Sequence, residues 1–293
     1  MEDSALTILG GRGFVLGEYV KQFYDPSIGN IVSVNDRPDY KVYSPSVLYG
    51  ISTLHNFHVT QGNPHIDIDT NLSTLVHVLE NWRIWCLENK QVGVFNFLSS
   101  WFVYRGGENV DELSPCEPEG FYSITKHTAE QLLVSYCNTY GLKYRILRLG
   151  NVIGATDSKV SEHKNVLQYL IQKLIRNEDI TLSGKGNFYR DYIHVEDCAR
   201  AIEIVLAKGE ANTIYNLGNG KSWSFRNILE YAKRRLGSTS EIELNLQPVK
   251  SLYMNTKKIR DLGYRPSYIG VEMYDAIIPA SGIVGDCERP SSR

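Results

Sequence analysis

ALTILGGRGFVLGEYV, residues 5–20, sets an apolar run of strand length directly against a glycine-rich turn and then a helical pattern. Glycines at such a junction let the backbone turn tightly and approach a pyrophosphate, whose charge is favoured at the N-terminus of the following helix. Taken alone, the turn fits an ordinary strand-to-helix connection as well as a nucleotide cradle, and the next strand tips the balance. NIVSVNDR, residues 30–37, ends in Asp36, where a dinucleotide fold sets an acid against the adenosine ribose hydroxyls. Asp36 repels a 2′-phosphate, which favours NAD over NADP; Arg37 beside it weakens that preference without reversing it.

Apolar runs of strand length alternate with helical periodicity through the first half, as in a parallel sheet covered by helices. Strands are expected near 5–9, 31–35, 46–51, 93–98 and 144–149, and helices near 16–24, 70–88, 124–139, 163–176, 195–207, 224–236 and 271–278. The tail SGIVGDCERPSSR reads as poorly structured. At 293 residues the chain can bury a sizeable core. The net charge of −2 comes without any block of like charges, so no phosphate-backbone footprint is indicated and nucleic acid is not an expected partner. No apolar run spans a bilayer, so no membrane partner is expected either, and the N-terminus lacks a basic leader; a cytoplasmic location is expected. Five cysteines without CxxC spacing (Cys86, Cys116, Cys137, Cys198, Cys287) and seven unclustered histidines argue against a disulfide framework and a metal centre.

FYSITKHTAE, residues 121–130, places Tyr122 four positions before Lys126, on one face of a helix beginning there. The same spacing occurs at Tyr169/Lys173 and Tyr253/Lys257, so spacing cannot choose among them. Context does: upstream of Tyr122, VGVFNFLSS ends a strand in Ser99 and Ser100, and strand C-termini of an open parallel sheet face the ligand cleft. The other two pairs, one in an amphipathic helix and one in a polar segment, are read as structural.

SSWFVY (99–104), YSITK (122–126), RLGNVIG (148–154), FYRDYIHVEDCARAI (188–202) and YNLGNG (215–220) stand in an order that resembles the extended short-chain dehydrogenase/reductase family, in its NAD-dependent nucleotide-sugar epimerase/dehydratase group. The resemblance implies an α/β fold, a Rossmann-type doubly wound parallel sheet with a smaller C-terminal α/β substrate domain. Residues 1–155 would bind NAD, with 189–216 packing back onto them, and 156–293 would bind a nucleotide-diphosphate sugar. It implies Ser100, Tyr122 and Lys126 as catalytic residues; Gly10, Gly11, Gly13, Phe14, Val15, Asp36, Arg37, Tyr122 and Lys126 at the cofactor; and Ser100, Asn151 and Arg190 at the substrate. A homodimer is implied through the helices 70–88 and 124–139, although Leu72, Leu75, Val76, Leu79, Leu132, Leu133 and Tyr136 serve equally as core. Oxidising a sugar carbinol removes a hydroxyl proton as hydride leaves carbon, and a free tyrosine of pKa near 10 is a poor base at neutral pH. A neighbouring Lys126 ammonium would favour the phenolate. His194 is read as structural, Glu130 as a solvated or helix-pairing charge, and pairing of Arg190 with Asp191 or Asp197 stays open as its alternative role.

The sequence also departs from the family pattern. Gly10 and Gly13 fit GxxGxxG, but position 16 is leucine and the next glycine is Gly17, so either the helix starts late or Gly11, Gly13 and Gly17 form a variant. Only RPDYKVYSP, residues 37–45, links Asp36 to the strand SVLYGI, too short for a strand and crossover helix, so the sheet is expected to be reduced by about one strand-helix unit, with altered adenine contacts. Gln247 stands near the expected diphosphate-clamping arginine, with Lys250 as a point charge, and Arg105 replaces a glycine. Trp101 and Phe102 stand where dehydratases of the group carry Asp-Glu. Together these favour an NAD-dependent epimerase, with C4 as the inverted carbon by resemblance. A keto-reductase or dehydratase of the same family, and a non-catalytic nucleotide-binding protein, remain the alternatives.

Overall fold

The computed structural model describes residues 6–24, 40–157, 160–161, 164–270 and 272–278. The expected strand at 31–35, Asp36, Arg37, Cys287 and the C-terminal tail lie outside the described residues.

Five strands form one parallel sheet in the spatial order Leu6–Leu9, Ser46–Tyr49, Val94–Ser100, Lys143–Leu149, Thr213–Leu217. Period-2 alternation gives each strand two apolar faces, and both are covered. Leu9, Val47, Tyr49, Phe95, Phe97 and Ile146 face helices Thr74–Glu88 and Phe121–Tyr140 through Leu75, Leu79, Trp82 and Leu133. Ile8, Leu48, Leu98, Leu147 and Leu217 face helices Phe14–Phe23 and Val195–Lys208 through Leu16, Tyr19, Cys198 and Ile202. This is the doubly wound, Rossmann-like arrangement. A separate core, including Leu167, Ile171, Trp223, Ile228 and Tyr274, joins helices Val166–Ile175 and Phe225–Leu236. Among the described residues, no helix is long and apolar enough to cross a membrane.

Tyr40 to Pro45 run without helix or strand into Ser46–Tyr49. This short link is not loosely laid: Tyr40 and Val42 are buried, and Thr7 Oγ1 contacts Ser44 Oγ at 2.8 Å and accepts from Tyr43 N at 3.0 Å. Helix Thr74–Glu88 continues a π-helical turn, Asp69–Ser73. Of the residues with two open roles, Leu75, Leu79 and Leu133 belong to the core, whereas Val76 and Leu132 are exposed.

The glycine turn resolves between its two sequence readings. The helix begins at Phe14 with Gly13 as its N-cap, so it does not start late. Gly10 has φ +91°, a region that L side chains rarely adopt, and a Cβ there would stand 3.1 Å from the Gly50 carbonyl carbon. Gly17 does not supply the missing close approach, because a Cβ on it would meet Gly11 O at an ordinary 3.5 Å. Instead, Leu16 is accommodated by a glycine just past the end of the neighbouring strand: a Cβ on Gly50 would stand 2.5 Å from Leu16 Cδ1 and 3.3 Å from Leu98 Cδ1. The helix docks by inserting a side chain where the usual pattern omits one.

Gly50→Ala therefore overpacks this joint and is expected to cost about 1–3 kcal/mol in urea unfolding. Leu16→Ala removes the clash, so the double variant should lose clearly less than the sum of the single losses; strict additivity would show that the two residues do not share the space.

Candidate active site

The C-terminal ends of the strands open into one cleft of about 1070 Å³, where ligands bind in open parallel sheets. The glycine turn follows the first strand, the loop 50–56 the second, Ser100–Phe102 the third, and Asn151 the fourth. From the other half of the chain, Phe188, Arg190, Tyr192, Phe225 and Val249 complete the walls.

Tyr122 lies in the first turn of helix Phe121–Tyr140. Gly120 caps that helix at φ +86°, and a Cβ on it would stand 2.8 Å from Asn56 Nδ2. The Asn56 side chain fills that space and accepts from Tyr122 N at 3.2 Å, fixing where the helix starts. The Tyr122 side chain shares the cleft with Ser52 and Ser100. Burial pushes the phenol above its usual pKa, a buried Asp67 adds to this, and the neighbouring Ser52 and Ser100 hydroxyls oppose it. Its ring meets His55 and Phe102 edge-on, at centroid distances of 5.8 and 6.1 Å.

Lys126, one turn on, is 2% exposed and donates to Leu98 O at 2.7 Å, with Nζ 4.3 Å from the Phe97 ring centroid. Burial brings its amine down to about 7, against the opposing charge of Glu130. The expected effect of a Lys126 cation on the phenol is thus not built into the chain alone: Lys126 is not among the groups acting on Tyr122, and its own charge is disfavoured.

The two serines ending Val94–Ser100 point to different tasks. Ser100 lines the cleft and its Oγ accepts from Phe102 N at 3.3 Å, capping the 3-10 turn Trp101–Val103. Ser99 Oγ donates to Glu130 Oε1 at 2.5 Å. The reading of Glu130 as a solvated or helix-pairing charge is corrected here: it is buried and takes a two-pronged bond from Arg148, Nε to Oε1 at 3.0 Å and Nη2 to Oε2 at 2.7 Å. Burial disfavours the Arg148 charge, but Glu130 outweighs it and holds the guanidinium above its usual range.

On the far wall, Asn151 N and Nδ2 both donate to Asp191 O at 3.1 Å. Arg190 pairs with neither alternative partner. Asp191 accepts backbone N–H bonds from Asn219 and Gly220, at 2.8 and 3.0 Å, and Asp197 takes Arg200. Arg190 Nη1 bonds the carbonyls of Tyr189 and Lys250, while its guanidinium lies 5.3 Å from the Trp101 ring centroid and 4.7 Å from that of Phe188. Burial lowers its pKa. His194 is structural: Nδ1 accepts from Glu196 N at 3.4 Å as a helix cap, and the ring stacks on Tyr268 at 3.7 Å.

Gly10, Gly13, Phe14, Val15, Ser100, Tyr122, Lys126, Asn151 and Arg190 all line the cleft; Gly11 is buried and does not. Arg105 is turned to Glu117 at 3.2 Å and Lys250 is paired with Glu119, both on the exposed surface, and neither lines the cleft. Ser52, His55 and Asn56 were missed by sequence reasoning, although the logic that chose Ser100, a polar residue just past a strand's C-terminus, applies to ISTLHN as well. A dinucleotide fits these residues: the glycine turn packs without room for a Cβ at Gly10 and opens onto the same cleft as Tyr122 and Lys126.

The NAD dependent epimerase/dehydratase family model matches residues 41–218, starting after the glycine turn. A protein of Methanocaldococcus jannaschii named "Putative UDP-glucose 4-epimerase" is 30% identical over 291 residues, 89% of this chain and 93% of that protein. Among solved structures, the Thermotoga maritima UDP-glucose 4-epimerase with UDP-glucose superposes with a TM-score of 0.76 at 20% identity, covering 94% of this chain and 97% of that one. The Pseudomonas aeruginosa protein RMD, complexed with NADPH, gives 0.78 at 20% identity, covering 94% and 98%. The two structural likenesses speak to fold, and solved structures of that likeness are described with NAD as well as with NADPH. The sequence match over most of the chain, together with the parallel sheet and its cleft, places the chain in the NAD dependent epimerase/dehydratase family.

Proposed function

We propose that the chain is an NAD-dependent nucleotide-sugar epimerase that inverts C4 through a transient keto-sugar, with Tyr122 as its acid/base. The observation that carries this reading is that Tyr122, Lys126, Ser52 and Ser100 share one cleft with the glycine turn, beside Trp101 and Phe102. Elimination of water needs an acid and a base beyond the tyrosine, and these two side chains are neither.

Gly10, Gly11, Gly13, Phe14 and Val15 would hold NAD on one side and Tyr122 and Lys126 on the other, with Asp36 and Arg37 assigned to the adenosine ribose as the sequence suggests. Bound there, NAD would supply a reversible hydride acceptor for the carbinol carbon. Tyr122 takes the hydroxyl proton of the sugar and later returns it. Ser100, whose Oγ accepts from Phe102 N and keeps its proton free, donates to the phenolate, which offsets the burial that raises the phenol. Ser100 also orients the sugar oxygen. Asn151 and the flat Arg190 guanidinium, held by ring faces and two carbonyls, contact the diphosphate. In this reading residues 1–155, with 189–216, form the cofactor domain and 156–293 the substrate domain. The enzyme is cytoplasmic and dimerises through the exposed Val76 and Leu132 faces.

The proposal is tested by incubating the protein with NAD and UDP-, dTDP-, GDP- and CDP-sugars and reading products by NMR. An isomer is expected; a reduced or dehydrated product would favour the reductase or dehydratase reading, and no product a binding protein. Tyr122→Phe is expected to lower turnover by about 10²-fold or more while leaving NAD binding intact, and unchanged turnover would refute the mechanism.

Lys126 gives a second test. Its amine sits at about 7 in the folded chain against an ordinary 10.5, so the unfolded chain binds the extra proton between those values. The burial penalty is complete below pH 7 and vanishes as pH rises toward 10.5. Wild-type stability relative to Lys126→Met should therefore climb by a few kcal/mol, on the order of 1.4 per pH unit, from pH 7 to 10 in urea unfolding. Parallel pH curves for the two proteins would contradict a depressed amine.

A further inference from the structure

Asp67 is a carboxylate sealed behind the part of the cleft wall that carries Ser52 and Thr53. It sits on the short helix His65–Ile68 and is 0% exposed. Thr53 Oγ1 donates to its Oδ1, and among the described residues its Oδ2 is buried without a hydrogen-bond partner. The protons of this cluster have a fixed direction. Asn71 Oδ1 accepts from Thr53 N at 3.1 Å, which turns the amide so that Nδ2 donates to Thr53 Oγ1 and to Thr125 Oγ1, each at 2.9 Å. Thr53 then gives its own proton to Asp67, and Thr125 gives its proton to Tyr122 O at 2.9 Å. One buried network thus holds both the carboxylate and the first turn of the helix bearing Tyr122. We propose that Asp67 is a positioning residue of the reaction, a fixed negative charge behind the cleft wall that keeps the proton on Tyr122 and so sets the lower pH limit of turnover.

The inference rests on Tyr122 as the acid/base of the proposed reaction. Packing alone does not call for a charge at position 67. An asparagine would accept from Thr53 equally well, and a carboxylate taken from water with one oxygen unbonded is among the costliest groups to bury. What the position supplies is its field. Of the charged groups around Tyr122, Asp67 is the one that acts on the phenol, and it opposes ionisation. The others are accounted for. His55 meets the phenol ring edge-on at 5.8 Å, and Lys126 is held by Leu98 O at 2.7 Å. Arg12, Glu18, Lys21, Asp157, Lys164 and Arg190 line the same cleft, and none of them is among the groups acting on the phenol. A phenol held in this way is a weaker acid and, once ionised, a stronger base.

The test follows kcat/KM against pH in the NAD-loaded protein, with whichever of the UDP-, dTDP-, GDP- and CDP-sugars turns over. Independently of turnover, a fluorotyrosine placed at position 122 is titrated by fluorine NMR. Turnover rises as Tyr122 loses its proton, so removing the negative charge should move the rise to lower pH. Asp67→Asn is expected to bring both midpoints down by about one pH unit, making the variant up to about tenfold faster below the wild-type midpoint. Asp67→Ser, neutral and smaller, should move them the same way. Asp69→Asn makes the same charge change two residues on at an exposed position, and should leave them in place. Unmoved midpoints in both Asp67 variants, or an equal shift in Asp69→Asn, overturn the proposal while leaving Tyr122 as the acid/base. Absence of turnover with every sugar sinks the epimerase reading instead, and the fluorine titration then decides this one: equal midpoints in wild type and Asp67→Asn overturn it, and a lower one in the variant upholds it.

Discussion

The buried pair of Glu130 and Arg148 is the joint on which the site depends. It ties three separate elements: the helix carrying Tyr122 and Lys126, the strand Lys143–Leu149 that carries Arg148, and, through Ser99, the end of the strand that carries Ser100. Tyr122 and Ser100 thus sit on parts of the chain fixed by one carboxylate. Such a pair contributes little net stability over an apolar replacement, since desolvating two charges costs about what their attraction returns. Its value is geometric, because the fork of a guanidinium accepts only one approach of a carboxylate. Arg148 also lies 4.8 Å from the Tyr104 ring, so the cation has little freedom to seek another partner.

A second joint sets the other half of the cleft. The helix after the glycine turn is docked by Leu16 against Gly50, so the glycine that makes room stands across the interface and not at position 16. Packing density leaves few ways to do this, and a side chain added on one side must be removed on the other. The same Gly50 stands against Gly10, whose backbone forms the turn, and Gly50 N donates to Leu9 O at 2.9 Å. One residue just past the second strand therefore positions both the turn and the helix that begins from it.

Much of this was legible in the sequence because it rests on local pattern. Alternation in LTIL, SVLY and VFNFLSS is the two-faced burial of a doubly wound sheet, and the strand-end position of Ser100 follows from the sheet's direction. What was not legible is partnership across distance. Nothing in FYSITKHTAE distinguishes a solvated Glu130 from one buried against Arg148, 18 residues on, and nothing distinguishes Ser99 from Ser100 until the pleat sends one to Glu130 and the other to the cleft. Asn56 could not be foreseen as the partner of Tyr122 N because the contact joins residues 66 apart, and its positive φ of 52° is a property of the loop, not of the residue type alone. The lysine illustrates the same limit for charge: four-residue spacing put Lys126 on the face of Tyr122, but the strand carbonyl of Leu98 captures its amine.

That capture bears on how the site handles charge. Burial opposes ionisation of both groups, pushing the Tyr122 phenol up and the Lys126 amine down, so the dry surroundings hold each near its neutral form. The surroundings that impose this cost also strengthen every hydrogen bond made inside them, because local fields are less screened away from water. A hydroxyl beside the phenol therefore counts for more here than at the surface. Asn71 Oδ1 in turn accepts from Ser52 Oγ at 3.3 Å and from Thr53 N at 3.1 Å, and Asn71 Nδ2 donates to Thr125 Oγ1 at 2.9 Å on helix Phe121–Tyr140. Ser52 is thus held by a buried amide that also holds the helix bearing Tyr122, so the distance between the phenol and this hydroxyl is set by packing instead of by the flexibility of a loop. A site organised in this way sets the phenol beside fixed neutral hydroxyls, while Lys126, held by the Leu98 carbonyl, is not among the groups that act on it.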